Sequence, residues 1–303
     1  MHKTFRYRIY PTKRQEQTLN EQLAISCELY NAALQERRDA WKLERKNIGW
    51  FDQNYQLTGI RAIRPDVAEV NATALENVLK RVDLAFKAYF RRVKSGETPG
   101  YPRFRGKGRY DSITYPQAPS GCKLDSDGKR LRLHGVGPMK IVLHRPLEGT
   151  PKTATVRRSS TGKWYVCFSC ECAEPAPLPK TGQHVGIDVG LKTFATFSTG
   201  EEIANPRFFR AEEQALAKVQ RAHSKLEKDT PERAKHRHAV ARVHERIAWR
   251  RSDFAHQHSR RITDGYDLIA VEDLSVNRMT HNHCLAKSIH DAAWGQFANL
   301  LSY

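Results

Sequence analysis

No run of about 18 apolar residues occurs in the 303-residue chain, so nothing in it reads as a transmembrane helix. The opening, Met1-His-Lys-Thr-Phe-Arg-Tyr-Arg, lacks the apolar core of a signal peptide, which places the expected location in the cytoplasm. Acids are also scarce. There are 33 Asp and Glu against 51 Lys and Arg, a formal net charge of +18, and that imbalance calls for a polyanionic partner through phosphate neutralisation. Cysteines number six, and Cys167, Cys170 and Cys172 fall on opposite faces of one β-branched, aromatic run. Ligands on opposite faces of a strand do not close a tetrahedral site, so these read as packed thiols. With 39% hydrophobic and 28% charged residues the chain is expected to fold, and its length predicts two or three domains.

Residues 5–10 alternate aromatic or apolar side chains with Arg and stop at Pro11, the pattern of a short strand. Thr12 is a candidate N-cap for a helix over 15–45, with Leu19, Leu23, Leu29, Tyr30, Ala33, Leu34 and Trp41 at helical spacing. A second helix is expected over 67–93, and together they suggest a small bundle. From 112 to 172 short alternating stretches (129–134, 139–144, 153–158, 163–172) predict an antiparallel barrel or sandwich. The proline-rich Glu174-Pro-Ala-Pro-Leu-Pro-Lys180 then marks a domain boundary near 180. Beyond it, 184–190, 194–198 and 202–204 read as strands, followed by a polar insertion over 206–264 with a net charge of +7. Leu216, Val219, Ala222, Leu226, Val240, Val243, Ile247 and Phe254 recur there every three or four residues, broken at Asp229-Thr-Pro231, which implies a helical hairpin. A fully apolar strand, Asp267-Leu-Ile-Ala-Val-Glu272, follows. The fold class expected is α+β and multidomain.

Between 91 and 109 seven basic residues meet one acid, Glu97, amid four glycines. Glycine lets backbone approach phosphates, while Arg and aromatic side chains offer forks and stacking faces. Arg91, Arg92, Tyr101, Arg103, Phe104, Arg105, Lys107 and Arg109 are therefore candidate nucleic-acid contacts, although a basic run can also be no more than a solvated loop.

Two otherwise apolar strands each end near a carboxylate, Asp188 and Glu272. An acid at the end of a buried strand needs a partner, and a divalent metal is one natural compensation. The same residues also fit a glycine-flanked turn and a simple strand end. Asp273, next to Glu272, should face the other way.

Six segments in order resemble the TnpB (OrfB) family of insertion-sequence proteins, related to type V CRISPR effectors. They are Tyr10-Pro-Thr-Lys, Tyr30-Asn-Ala-Ala-Leu, Gly100-Tyr-Pro-Arg-Phe, Gly186-Ile-Asp-Val-Gly-Leu, Val243-His-Glu-Arg-Ile-Ala-Trp-Arg-Arg-Ser-Asp-Phe-Ala-His256 and Val271-Glu-Asp-Leu. The resemblance implies a first strand (1–11) feeding a wedge-type β-barrel, a helical recognition domain (12–111) inserted into that barrel, and the rest of the barrel with its linker (112–180). An RNase H-like (RuvC) α/β nuclease domain (181–303), carrying the hairpin at about 206–264, completes the expected order. It further implies Asp188 and Glu272 as catalytic metal ligands for Mg²⁺ or Mn²⁺. Guide RNA and target double-stranded DNA are the implied partners, with Tyr30 and Asn31 added to the nucleic-acid contacts. A prokaryotic, nucleoid-associated setting is implied too.

The resemblance also implies two Cys-x-x-Cys pairs binding structural zinc and a final Asp after Glu272, and none of these is in the chain. The nuclease domain is therefore expected to lack its C-terminal part. His281-Asn-His-Cys284 does not supply a zinc site, lacking a partner pair. Asp291, in an expected helix, is a structural or surface residue rather than the third acid. Three functions compete: RNA-guided DNA cleavage, RNA-guided binding without cleavage, and direct action of a transposase on DNA ends.

Overall fold

Alternation decides how the first strand is used. Strand β1 (His2–Tyr10) turns Phe5, Tyr7 and Ile9 inward, all buried, and Arg6, Arg8 and Tyr10 outward. The computed structural model describes residues 1–106 and 108–302, which divide into two units, Met1–Glu174 and Pro175–Tyr303.

In the first unit β1 joins six later strands: β2 (Ser112–Tyr115), β3 (Cys122–Leu124), β4 (Arg130–Leu133), β5 (Gly137–Val142), β6 (Thr150–Arg158) and β7 (Trp164–Glu171). Their order is β2-β6-β7-β1-β5-β4-β3, and every pairing is antiparallel. The edge strands β2 and β3 are consecutive in the chain, joined only through residues 116–121 with the short α5 (Ala118–Gly121). Seven flat strands would hold their edges roughly 29 Å apart, while that connection spans at most ~25 Å fully stretched. The sheet must therefore curl, giving a nearly closed barrel.

Four helices lie between β1 and β2: α1 (Lys13–Glu44), α2 (Trp50–Ile63), α3 (Pro65–Ala68) and α4 (Ala72–Lys94). Thr12 caps α1 as expected, its hydroxyl accepting from the Gln15 N–H while the Gln15 side chain accepts from the Thr12 N–H. The expected helix over 67–93 divides at residues 69–71, where Asn71 caps α4 by accepting from the Ala74 N–H. Helix α2 was not legible in the apolar pattern, because one of its two buried positions is Gln53 rather than a hydrophobe. That amide donates to the Ala33 carbonyl and accepts from Arg37 Nε, so the buried amide gives the guanidinium one of its acceptors. Helix side chains such as Leu19, Leu34, Leu75 and Val82 share one continuous core with the barrel interior.

The second unit holds β8 (His184–Val189), β9 (Thr193–Phe197), β10 (Glu202–Ala204) and β11 (Leu268–Val271), ordered β10-β9-β8-β11. β11 runs parallel to β8, and parallel neighbours need a long crossover. Here it is the hairpin of α6 (Phe208–Ser224) and α7 (Pro231–Gly265), in which Thr230 caps α7 with Pro231 at its first turn. Leu216, Val243 and Ile247 close the hairpin, while Phe254 packs edge-on against Phe194 at 4.9 Å in the main core. Short α8 (Val276–Met279), α9 (His283–Ala292) and α10 (Trp294–Leu301) follow, Ile289, Trp294 and Phe297 covering the sheet. Residues 172–183 carry no helix or strand. No helix among the described residues is long and apolar enough to cross a membrane.

One strand departs from expectation. β11 is apolar but not buried: Leu268 is 59% and Val271 47% exposed. As the edge strand it has a neighbour on one side only.

Candidate functional site

Parallel pairing sets Val271 of β11 level with Ile187 of β8. Glu272 therefore follows at the level of Asp188, one strand spacing of roughly 4.8 Å away. On its other side Asp188 faces Thr196 of β9. Val185 and Ile187 point into the core, so Gly186 and Asp188 occupy the opposite face. Asp188 and Glu272 line a single open depression of about 550 Å³ with Gly186, Thr196, Ser198 and Ala270. Ser198 fixes its floor, accepting from the Gly186 N–H at 3.0 Å and donating its own N–H to the Gly186 carbonyl at 2.8 Å.

Both carboxylates are exposed, and among the described residues neither is ion-paired or hydrogen-bonded through its side chain. The sheet face carrying them is uncovered, so Asp188 and Glu272 are not withdrawn from water as their place at the ends of apolar strands suggests. Two adjacent free carboxylates facing solvent still fit a hard divalent cation, since Mg²⁺ takes one or two carboxylates and retains waters. Among the described residues no group of three His, Cys, Asp or Glu side chains could hold a metal. Asp273 is exposed and does not line the depression.

Asp291 has a different task. It is buried, accepts from the Phe209 N–H at 2.8 Å and the Arg210 N–H at 3.3 Å, and pairs with Arg251 at 2.8 Å. Its carboxylate thus caps α6, whose own N-cap residue Arg207 makes no side-chain cap. Asp267 likewise holds the interdomain segment. The backbone N–H groups of Thr181 and Gly182 donate to it and keep its carboxyl below the usual carboxylate range.

In the first unit the basic segment after α4 is pinned to the helices. Asn31 of α1 donates to the Arg105 carbonyl at 2.9 Å and accepts from the Arg105 N–H at 2.8 Å. Tyr30 is buried, 6.1 Å from Tyr110, with the Arg105 guanidinium 5.7 Å over its ring. Tyr101 packs edge-on against Tyr89 and Phe86, and Arg38 lies over Phe104. Arg81 ties α4 to β2 through the Ser112 carbonyl and the Thr114 hydroxyl. So fixed, the segment turns Arg103, Arg105 and Arg109 to solvent, while on the last turn of α4 Arg91 is exposed and Arg92 half-buried. None of these five is ion-paired among the described residues. Lys107 lies outside the described residues. The clamping roles of Asn31 and Arg81 and the cap made by Asp291 are tertiary pairings with no local sequence signal.

Comparison with known proteins adds a decisive observation. A Streptomyces pristinaespiralis protein named as an RNA-guided DNA endonuclease is 34% identical over 305 residues, covering 99% of this chain and 74% of that protein. The chain belongs to the TnpB (OrfB) family. The Escherichia coli K12 TnpB relative InsQ, also named as an RNA-guided DNA endonuclease, is 26% identical, covering 99% of this chain and 76% of its own length. A family model described as "probable transposase" matches residues 167–283 of this TnpB-family chain, and one described as a helix-turn-helix domain matches 1–46. In the TnpB fold seen here, residues 1–46 form a strand and one uninterrupted helix, not two helices about a turn. A CRISPR-Cas12f ternary complex aligns with a TM-score of 0.40 at 13% identity, covering 94% of this chain and 70% of that one.

Proposed function

We propose that this chain is an RNA-guided DNA endonuclease whose cutting centre is the Asp188–Glu272 pair. The carrying observation is the register that brings two acids, 84 residues apart in sequence, side by side on one open face. Residues 1–11 with 112–180 serve as the barrel, 12–111 as the recognition domain and 181–303 as the nuclease domain. Asp188 and Glu272 would hold Mg²⁺ or Mn²⁺, which when bound supplies a Lewis acid and an activated water for phosphodiester hydrolysis. The two exposed carboxylates leave room above the sheet for a phosphate.

Guide RNA and target double-stranded DNA are the partners. Arg91, Arg92, Arg103, Arg105, Lys107 and Arg109 contact phosphates, Tyr101 and Phe104 add aromatic surface, and Tyr30 with Asn31 act from beneath by holding the segment in place. Binding of guide and target without cleavage is the second reading, favoured by the presence of only two acids in the depression.

The test is a plasmid carrying a sequence matched to the bound RNA, incubated with protein and Mg²⁺. Cutting that requires the matched RNA, the metal and Asp188 supports the proposal. Cutting that persists in Asp188→Ala, or without matched RNA, refutes it. Matched binding with no cutting selects the second reading.

A further inference from the structure

The register lays out the open face of the second unit in rows. Thr196 of β9 stands directly opposite Asp188 of β8, and Glu272 follows β11 at the level of Asp188 on its other side. Three adjacent strands therefore set one oxygen-bearing side chain each along a single line, Thr196–Asp188–Glu272, and all three line the same depression. The neighbouring row on that face is Ser198–Gly186–Ala270, whose small side chains leave space above the sheet. Residues directly opposite in an antiparallel pair hold their Cβ atoms about 4.5–5.5 Å apart, so the Thr196 hydroxyl and the Asp188 carboxylate border the same volume.

Thr196 has no structural task for its oxygen. Ala195 and Phe197 are buried, which turns Thr196 to the outer face, where it is half-buried. Its hydroxyl makes no hydrogen bond among the described residues. On the side away from Asp188 it faces Glu202 of β10, which is exposed and does not line the depression. Ser198 differs, because its oxygen already accepts from the Gly186 N–H at 3.0 Å. Reach is not the obstacle: Thr114 and Thr155, opposite one another on β2 and β6, join their hydroxyls at 2.9 Å. A threonine chosen only to form strand would be served as well by valine, which has the same branched shape. What valine lacks is a hard oxygen donor beside two free carboxylates.

We infer that the Thr196 hydroxyl is a third oxygen donor to the divalent cation held by Asp188 and Glu272. Mg²⁺ and Mn²⁺ take oxygen ligands and fill the rest of their shell with water. Asp188 and Glu272 bring two negative charges, matching the charge of the ion, and a neutral hydroxyl adds an oxygen without altering that balance. Threonine and serine hydroxyls serve Mg²⁺ in the same way in phosphate-binding loops. The inference rests on the Asp188–Glu272 reading and deepens it, since it names a residue of the same row that carries no charge and ends no apolar strand.

The test is the affinity of the full chain, freed of nucleic acid by high salt, for Mn²⁺, measured for the wild type, Thr196→Val, Thr196→Ser and Asp188→Ala. Valine keeps the shape and removes the oxygen, while serine keeps the oxygen and removes the methyl group. Loss of an oxygen from the surroundings of the ion should weaken Mn²⁺ binding by about 10–100-fold in Thr196→Val. Thr196→Ser should bind close to the wild type, and the melting temperature of the metal-free valine variant should be unchanged. At saturating Mn²⁺, electron spin-echo spectroscopy in heavy water should find an additional water on the ion in Thr196→Val, in the place the hydroxyl leaves. Equal affinity in the wild type and Thr196→Val, with binding lost in Asp188→Ala, overturns this inference and leaves the two-acid site standing. An equal loss in the valine and serine variants also overturns it, because shape rather than oxygen would then be what the ion senses. Binding that persists in Asp188→Ala, or is absent from the wild type, overturns the site reading and this inference with it.

Discussion

Replacing Asp291 by Ala separates a structural acid from the acids of the candidate cutting centre. The side chain is 4% exposed and accepts four contacts: two backbone N–H groups at the start of α6 and two guanidinium nitrogens of Arg251 at 3.2 and 2.8 Å. Removing one member of a buried pair costs about 3–5 kcal/mol, because the partner charge is stranded. Arg251 is 22% exposed and can turn toward water, which favours the lower end of that range. Loss of a carboxylate at the positive end of α6 adds about 0.3–1 kcal/mol. The expected loss is therefore about 3–4 kcal/mol in the second unit. At about 3 °C per kcal/mol for a domain of this size, its thermal transition should fall by about 10 °C. Differential scanning calorimetry reads this directly, with Asp188→Ala as the comparison, expected within about 0.5 kcal/mol of the wild type because its carboxylate is exposed and unpaired. A loss below 1 kcal/mol for Asp291→Ala, or an equal loss for Asp188→Ala, would refute the division of labour between these acids.

Asn31→Ala removes both clamps on Arg105, so the Arg105 amide should exchange with solvent at least tenfold faster by hydrogen–deuterium exchange, while global stability falls by only about 1 kcal/mol. Alkylation at pH 8 followed by mass spectrometry should find exposed Cys284 modified first, with Cys122, whose thiol burial pushes up to about 12, modified only on unfolding. Asp267 has a lowered folded pKa, so its tether on Thr181 and Gly182 is complete above the ordinary carboxylate range and is lost as pH falls through the lower, folded value. Limited pepsin digestion near residue 180 should therefore increase at low pH in the wild type and be pH-insensitive over the same window in Asp267→Asn.

Much of the fold follows from periodicity. The alternation of β1, the capping box at Thr12, the break at Asp229-Thr-Pro231 and the strands around Asp188 all use local chemistry that the chain displays directly. Helix α2 does not, because Gln53 fills a core position and is made tolerable by Arg37 and Ala33, neither of them near it in sequence. For the site, the identities of Asp188 and Glu272 were legible as acids ending apolar runs, and their adjacency was not. It depends on the parallel register of β8 and β11. Burial is hidden for a related reason: an apolar strand reads alike at the edge and the centre of a sheet, and Leu268 and Val271 lie at an edge. Tyr30 and Asn31 show the same limit, since their engagement with Tyr110 and Arg105 spans more than 70 residues.

The central claim is that Asp188 and Glu272 act together on one divalent cation. Titration of Mn²⁺ into the protein, followed by electron paramagnetic resonance of the free ion, measures this without requiring cleavage. The account predicts saturable Mn²⁺ binding in the wild type, competed by Mg²⁺ and lost in both Asp188→Ala and Glu272→Ala, with the thermal transition unchanged in each. Mn²⁺ binding that survives both single substitutions would contradict it.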